Sequence, residues 1–361
     1  MKIGISTGGG DCPGLNAVVR AVTLSAIKNQ SWEVLGIQDG FEGLIDTERT
    51  QVLSIKDVDG ILGLGGTVLG TTNRGNPFKY VVEENGEEVI RDISDTVVAN
   101  FHKLGLDALI LVGGDGTQSI GYRLFQKGLP IVGIPKTIDN DLLATDATIG
   151  YNTALAIAVD AIDRLHTTAR SHHRALVVEV MGRYAGWIAL EAGLAGAVDI
   201  ILIPEIPFEV GKVCNHINKL IENGKHYSIT VIAEGAVPLG GRHSIIESEA
   251  QNLGGVERLG GIGNWLSQQI EEIADIESRC VVLGHLQRGG PPSHADRLLA
   301  TRMGTFAVDM VKRQRFGRMV ALKGKALQEV DVAEAVDKVR LVRKDSETVL
   351  AARDIGISFG D

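Results

Sequence analysis

A glycine-rich segment, Gly113-Gly114-Asp115-Gly116-Thr117, and a polar one, Pro135-Lys136-Thr137-Ile138-Asp139-Asn140-Asp141, carry three aspartates and a lysine. A carboxylate can accept a proton or hold a hard cation, and a lysine can offset phosphate charge. Glycines let backbone N–H groups come close to an anion. That combination suits phosphoryl transfer, which needs positioning and charge neutralisation more than covalent help. Asp107–Val112 is an apolar run of strand length, Ser119–Gly128 reads as a helix and Pro130–Ile134 as a second strand. A strand–helix–strand unit this short implies a right-handed crossover in a parallel sheet. Both polar segments then sit as turns at the carboxyl ends of neighbouring strands, where open α/β sheets bind ligands.

The flanking chain repeats this grammar. Lys2–Thr7 is a strand, Gly8–Asn16 a glycine-rich turn, and the helix after it places Val18, Val22 and Ala26 on one face. Trp32–Gln38 reads as a strand and Gly40–Leu44 as a turn. Gly65–Pro77 is a loop with Arg74 as its one cation, Tyr80–Ile90 a hairpin turning at Asn85-Gly86, and Asp95–Leu104 a helix. Ala147–Leu165 predicts a long helix whose solvated end runs on to Arg174. The adjacent His172 and His173 lack metal-ligand spacing. A second α/β series follows from about Ile149 to Gly284, with strands at Ala175–Val180, Asp199–Ile203, Ser228–Ala233 and Ser278–Leu283. Its helices are expected at Val213–Asn223 and Asn264–Asp275, with mixed structure over Ser244–Gly263. Ala295–Arg313 predicts a helix and Met319–Leu322 a strand, and Phe316–Asp361 reads as charged helical segments.

A chain of 361 residues suggests two domains, and 44% hydrophobic residues supply cores that a disordered chain would lack. Only 4% aromatics beside 45 glycines favours alternating β and α elements. The formal charge of −9 argues against nucleic acid as a partner. Cys12, Cys214 and Cys280 form no CxxC pair and fit a reducing, cytoplasmic setting. Asp11 and Arg20 break any secretory signal, and no apolar run approaches the ~20 residues that span a membrane.

GGDCPGLNA, GGDGT, PKTIDND, MGRYAGW and GHLQRGG follow one another in an order that resembles the bacterial-type ATP-dependent 6-phosphofructokinases, from Lys2 to about Arg313. Lys136 in PKTIDND is similar to the subgroup that mixes ATP- and pyrophosphate-dependent members. The resemblance implies two Rossmann-like α/β domains with mostly parallel sheets and an active site in the cleft between them. It assigns 1–148 with about 287–330 to nucleotide binding, and 149–286 with 331–361 to sugar-phosphate binding. The implied reaction is glycolytic: the terminal phosphate of ATP passes to the 1-hydroxyl of fructose 6-phosphate, with Mg²⁺. Gly10, Arg74, Gly75, Gly114, Asp115, Gly116 and Thr117 would bind the donor, with Asp115 holding the metal. Asp139 would be the base, helped by Arg74, Thr137 and Lys136, with Asp141 in support. Thr137, Ile138, Asp139, Met181, Gly182, Arg183, Glu234, His285, Leu286, Gln287 and Arg288 would contact fructose 6-phosphate. Arg174 and Arg279 match phosphate-binding positions that in this family reach in from a neighbouring subunit, which implies a homotetramer built as a dimer of dimers.

The donor turns on Gly116. A residue without a side chain leaves room for a nucleotide α-phosphate, whereas the family's pyrophosphate-dependent members carry Asp there. Lys136 points the other way, because those members use a lysine at its position. Excluded volume outweighs an added cation, so ATP is expected, with ADP also fitting. A pyrophosphate-dependent phosphotransferase and a catalytically silent subunit are the alternatives. Of the family's effector-site cations Arg20 and Lys225 remain, while Leu24, His166, Asn223 and His226 replace the others, so little response to ADP or phosphoenolpyruvate as effectors is expected.

Overall fold

The computed structural model describes residues 1–84, 86–241, 260–336 and 338–361. Among them the chain divides into two compact units: Met1–Thr153 with Arg288–Lys338, and 154–241, 260–287 and Val339–Asp361.

The first unit opens with strand β1 (Lys2–Thr7), helix α1 (Leu15–Gln30), β2 (Glu33–Ile37), the short α2 (Glu42–Ile45) and β3 (Thr50–Leu53). A hairpin of β4 (Tyr80–Glu84) and β5 (Glu87–Arg91) precedes α3 (Ser94–Lys103), β6 (Ala108–Gly113), α4 (Asp115–Gln126), β7 (Ile131–Thr137) and the two-residue β8 (Ile149–Gly150). Asn85, at the expected hairpin turn, lies outside the described residues. In α1, Val18, Val22 and Ala26 are fully buried, as their spacing requires.

The second unit begins in α5 (Tyr151–His172) and continues through β9 (Ala175–Val180), α6 (Trp187–Ala195), β10 (Ile200–Leu202), α7 (Val210–Glu222) and β11 (Ser228–Ala233). Then come α8 (Ile262–Ala274) and β12 (Ser278–Val282). Most of Ser244–Gly263 lies outside the described residues. The four strands run in the order β10-β11-β9-β12, all parallel. The core under them gathers Val177, Leu202, Phe208, Ile217, Leu266 and Ile270.

The chain then returns to the first unit as α9 (His294–Lys312), β13 (Arg318–Lys323) and β14 (Ala326–Asp331) before ending, in the second, with α10 (Glu347–Asp354). The large sheet is ordered β14-β13-β7-β6-β1-β2-β3, with β8 continuing alongside β7. Its interior is parallel, and the antiparallel pairs β13–β14 and β2–β3 close the two edges. Continuous burial of β6 on both faces explains its unbroken run ALILVG. Among the described residues no helix is long and apolar enough to cross a membrane.

Four expectations need correction. Gly114–Thr117 is not a free turn: Gly114 is the N-cap and Asp115 the first residue of α4, four residues before the predicted start. Pro135-Lys136-Thr137 extends β7, because Lys136 and Thr137 pair with Ile149 and Gly150, so the turn proper is 138–141. The same pairing delays α5, whose predicted first residues belong to β8. Finally, the charged stretch after Phe316 forms a β-hairpin before the α-helix α10, since Met319, Val320 and Ala321 of β13 are buried in the sheet and β14 pairs along its outer side with Ala326, Gln328 and Asp331 exposed.

Asp296 ties several of these pieces together. Fully buried near the start of α9, it accepts from Gly150 N at 3.1 Å, from Thr153 N at 2.8 Å and from the Thr153 hydroxyl. Burial pushes its carboxyl above the usual range, opposed by these donors. Asp296→Ala would orphan all of them and is expected to cost about 3 kcal/mol, seen as a lowered denaturation midpoint.

Candidate active site

Three parallel strands end side by side. Thr7 of β1 lies beside Val112 of β6, and Gly113 of β6 beside Pro135 of β7. The segments that leave them, Gly8–Asp11, Gly114–Thr117 and Ile138–Asp141, therefore emerge at one edge of the first unit's sheet. Close contacts confirm the convergence. A Cβ on Gly8 would strike the Thr117 hydroxyl at 2.7 Å, and one on Gly114 would lie 3.3 Å from the Lys136 carbonyl. Thr71 and Thr72, from the loop that carries Arg74, hydrogen-bond to Gly9 and bring that loop to the same edge.

Two cations face the glycine loop. Lys136 is buried and its ammonium donates to the Gly10 carbonyl. Arg288 donates to the Asp11 carbonyl at 3.1 Å, and its guanidinium lies where a Cβ on Gly10 would clash at 2.7 Å. A larger residue at 10 would displace that guanidinium. Burial lowers the affinity of Lys136 for its proton, with Arg288 adding to the effect and Asp11 and Asp139 opposing it. Arg74 is exposed, and Gly75 packs against Glu42.

Across from the cations stand three carboxylates. Asp115 is exposed in the first turn of α4, where the helix dipole favours negative charge. Asp139 is held by a braced turn. Its N–H donates to the Thr137 hydroxyl at 3.1 Å, and Asn140, with φ 51°, accepts from Thr148 N at 3.2 Å. Thr148 in turn donates to the Thr137 carbonyl at 2.6 Å. Burial, then the charges of Asp139 and Asp115, push Asp141 up to about 7, while a hydrogen bond from Thr137 works against the rise. Ile138 is buried beneath this turn. Among the described residues no three His, Cys, Asp or Glu side chains form a metal cage. Such a strained carboxylate group fits a hard cation that takes one or two protein oxygens and draws the rest of its shell from phosphates and water.

Gly116 differs from its neighbours. Among the described residues, a Cβ built there meets no neighbouring side chain or loop within 4 Å, so its face of the α4 N-terminus is open.

In the second unit the same rule of strand ends holds. β9 runs into Met181-Gly182-Arg183, β11 into Glu234, and β12 into the short 3-10 helix Gly284–Arg288. Glu234 N donates to the Val180 carbonyl and Gly235 N to that of Gly182, so these segments meet at the carboxyl edge. Arg183 lies over the Tyr184 ring at 4.8 Å. His285 and Leu286 are exposed, whereas Gln287 is buried and donates to the Gly284 carbonyl at 3.2 Å. Arg174 and Arg279 are elsewhere. They flank the start of β9 and β12, share Glu277 at 2.8 and 2.7 Å, and stand a strand's length, roughly 20 Å, from Met181. One chain does not bring these arginines to the Glu234 edge. Lys225, counted among the remaining effector cations, is engaged by Asp199 beside an open depression lined by Arg170, His173, His226 and Tyr227.

Residues 2–311 match the family model for phosphofructokinase. The chain belongs to the phosphofructokinase family. Over 361 residues it is 51% identical to an ATP-dependent 6-phosphofructokinase of Chloroflexus aurantiacus, covering all of this chain and 98% of that relative. It is 50% identical over 343 residues to a pyrophosphate–fructose 6-phosphate 1-phosphotransferase of Amycolatopsis methanolica, covering 95% and 96%. In fold it is similar to the pyrophosphate-dependent phosphofructokinase of Nitrosospira multiformis, with TM-score 0.81 and 19% identity over 100% of this chain and 92% of that one. The family's two Rossmann-like units account for the parallel sheets seen here.

The braces Asn140–Thr148 and Asp296–Thr153 were missed by sequence reasoning, since a buried Asn or Asp in a turn carries no signal of the distant donor it will meet. The strain on Asp141 is directly measurable. Its raised value means that the ionised form destabilises the fold, fully above pH 7 and less as pH falls from 7 towards the unfolded value near 4. Asp141→Asn is expected to stabilise the ligand-free protein by about 2 kcal/mol at pH 8, with the gain shrinking over that window in urea titrations.

Proposed function

We propose that this chain is an ATP-dependent 6-phosphofructokinase, phosphorylating the 1-hydroxyl of fructose 6-phosphate to give fructose 1,6-bisphosphate and ADP. The observation that carries the donor is the open face at Gly116, which leaves volume for a nucleotide where a carboxylate would fill and charge it. Backbone N–H groups at Gly10 and Gly114–Thr117, with Arg74 and Gly75 from the adjoining loop, take the donor phosphates. Mg²⁺ bound through Asp115 would neutralise the charge on those phosphates. Met181, Gly182, Arg183, Glu234, His285, Leu286, Gln287 and Arg288 hold the sugar phosphate, with Ile138 beside the reacting hydroxyl.

Asp139 accepts the proton of that hydroxyl as the oxygen–phosphorus bond forms and the bond to the leaving diphosphate breaks. Thr137, Arg74 and Lys136 stabilise the transferring group, and Asp141 keeps the turn and its proton within reach. Both cations that face Gly10 and Asp11 act in a buried setting, where each charge counts for more than in water. Arg174 and Arg279 complete the acceptor site from a second copy, because their own chain holds them at the opposite edge of the sheet. The active assembly is accordingly a homo-oligomer, a tetramer arranged as a dimer of dimers.

Asp139→Ala should lower kcat by about 10²–10⁴-fold with fructose 6-phosphate still binding. Arg174→Ala should raise the KM for fructose 6-phosphate. Co-refolded and assayed at fructose 6-phosphate well below the raised KM, where neither variant alone turns over appreciably, the pair should regain a share of wild-type activity through mixed sites. Unchanged turnover of Asp139→Ala would remove the base, and no recovery on mixing would confine the site to one chain.

A further inference from the structure

Residues 339–361 form a strap across the second unit, and the reaction as described gives it no part. Ile201 N donates to the Ser358 carbonyl at 2.9 Å and Ser358 N to that of Asp199 at 3.0 Å, so the strap adds to the free edge of β10. Glu209 N donates to the Gly360 carbonyl at 2.7 Å, and Phe359 is buried. So far this is edge protection.

Two contacts go further, because both end on the segment that follows Met181-Gly182-Arg183. One oxygen of Glu205 accepts from Val342 N at 2.8 Å and from Gly186 N at 3.1 Å, and the other accepts from Gly186 N at 3.2 Å. Gly186 must be glycine here: a Cβ would lie 2.3 Å from Ile203 and 3.1 Å from Glu205. Beside it, the Trp187 indole N–H donates to the Arg340 carbonyl at 2.7 Å, and the Arg340 guanidinium stacks on the Trp187 ring at 4.3 Å. The other end of the segment is fixed by Gly235 N on the Gly182 carbonyl. Met181–Trp187 is thus pinned at both ends, and its C-terminal pin is the strap. Burial raises the Glu205 carboxyl, and the N–H groups of Val342 and Gly186 work against the rise.

We infer that Glu205, Trp187 and Arg340 are positioning residues for fructose 6-phosphate, through which the strap sets the backbone that presents Met181 and Arg183. This rests on the reading of Met181–Arg183 as sugar-phosphate contacts. The strap's hydrogen bonds described above all end on residues of the second unit, so the effect is expected in the KM of fructose 6-phosphate and not in that of ATP.

The test is steady-state kinetics of the full-length enzyme with three variants. Trp187→Phe removes the indole donor while keeping a ring under Arg340, and Glu205→Gln cannot accept from both N–H groups through one charged carboxylate. Arg183→Ala is the control for the underlying reading. Both positioning variants should raise the KM for fructose 6-phosphate about five- to tenfold, with the KM for ATP and kcat within about twofold and an intact cooperative melt. If Arg183→Ala raises that KM and the two variants do not, the strap has no positioning role. If Arg183→Ala also leaves it unchanged, the assignment of the sugar-phosphate contacts fails instead. Equal losses in both KM values or in kcat would mark general destabilisation and overturn the inference. Should Glu205→Gln fail to fold, Trp187→Phe alone decides.

Discussion

Parallel pairing of β1, β6 and β7 in fixed register is the constraint on which the first unit's chemistry rests. Once Thr7 lies beside Val112 and Gly113 beside Pro135, three loops have no choice but to leave at one edge. Shifting any strand by one residue would send every side chain to the opposite face of the sheet, and these strands are packed on both faces or nearly so. The hydrophobic core thereby holds a charged site in place. Lys136 and Arg288 are then fixed against the Gly10–Asp11 backbone by hydrogen bonds, and the carboxylates of 115 and 139 stand near enough to 141 to act on its charge. Burial of Asp141, and then the charges of its carboxylate neighbours, offset part of the folding stability.

The second unit uses the same device with another cargo. Its four parallel strands bring Met181, Glu234 and the Gly284–Arg288 turn to their carboxyl ends, and place Arg174 and Arg279 at their amino ends. Geometry alone thus separates two groups of residues that the motif comparison had gathered round one substrate.

Much of this was legible in the sequence because it depends on short-range physics. β1, β9 and β11 begin and end where their apolar runs do, and Gly and Pro punctuation located the loops. Where the reading slipped, a longer-range partner decided the outcome. Lys136 and Thr137 look like turn residues until Ile149 and Gly150 pair with them and draw β7 onward. Asp115 looks like a turn former until α4 uses it as a first-turn residue below its N-cap. Charged β14 looks helical until β13 offers it an edge. Legible in the same way was Gly116, as a gap in side-chain volume, although only the fold shows that no other described residue fills it.

The most direct measurement is the donor preference of the wild-type enzyme and of Gly116→Asp with fructose 6-phosphate and Mg²⁺, comparing kcat/KM for ATP, ADP, GTP and pyrophosphate. An open α-phosphate volume predicts that the wild type prefers a nucleotide, and that the variant folds normally yet loses ATP use by about 100-fold or more while pyrophosphate use is retained or rises. A wild type faster with pyrophosphate than with any nucleotide, or a Gly116→Asp variant that still turns over ATP at the wild-type rate, would contradict it.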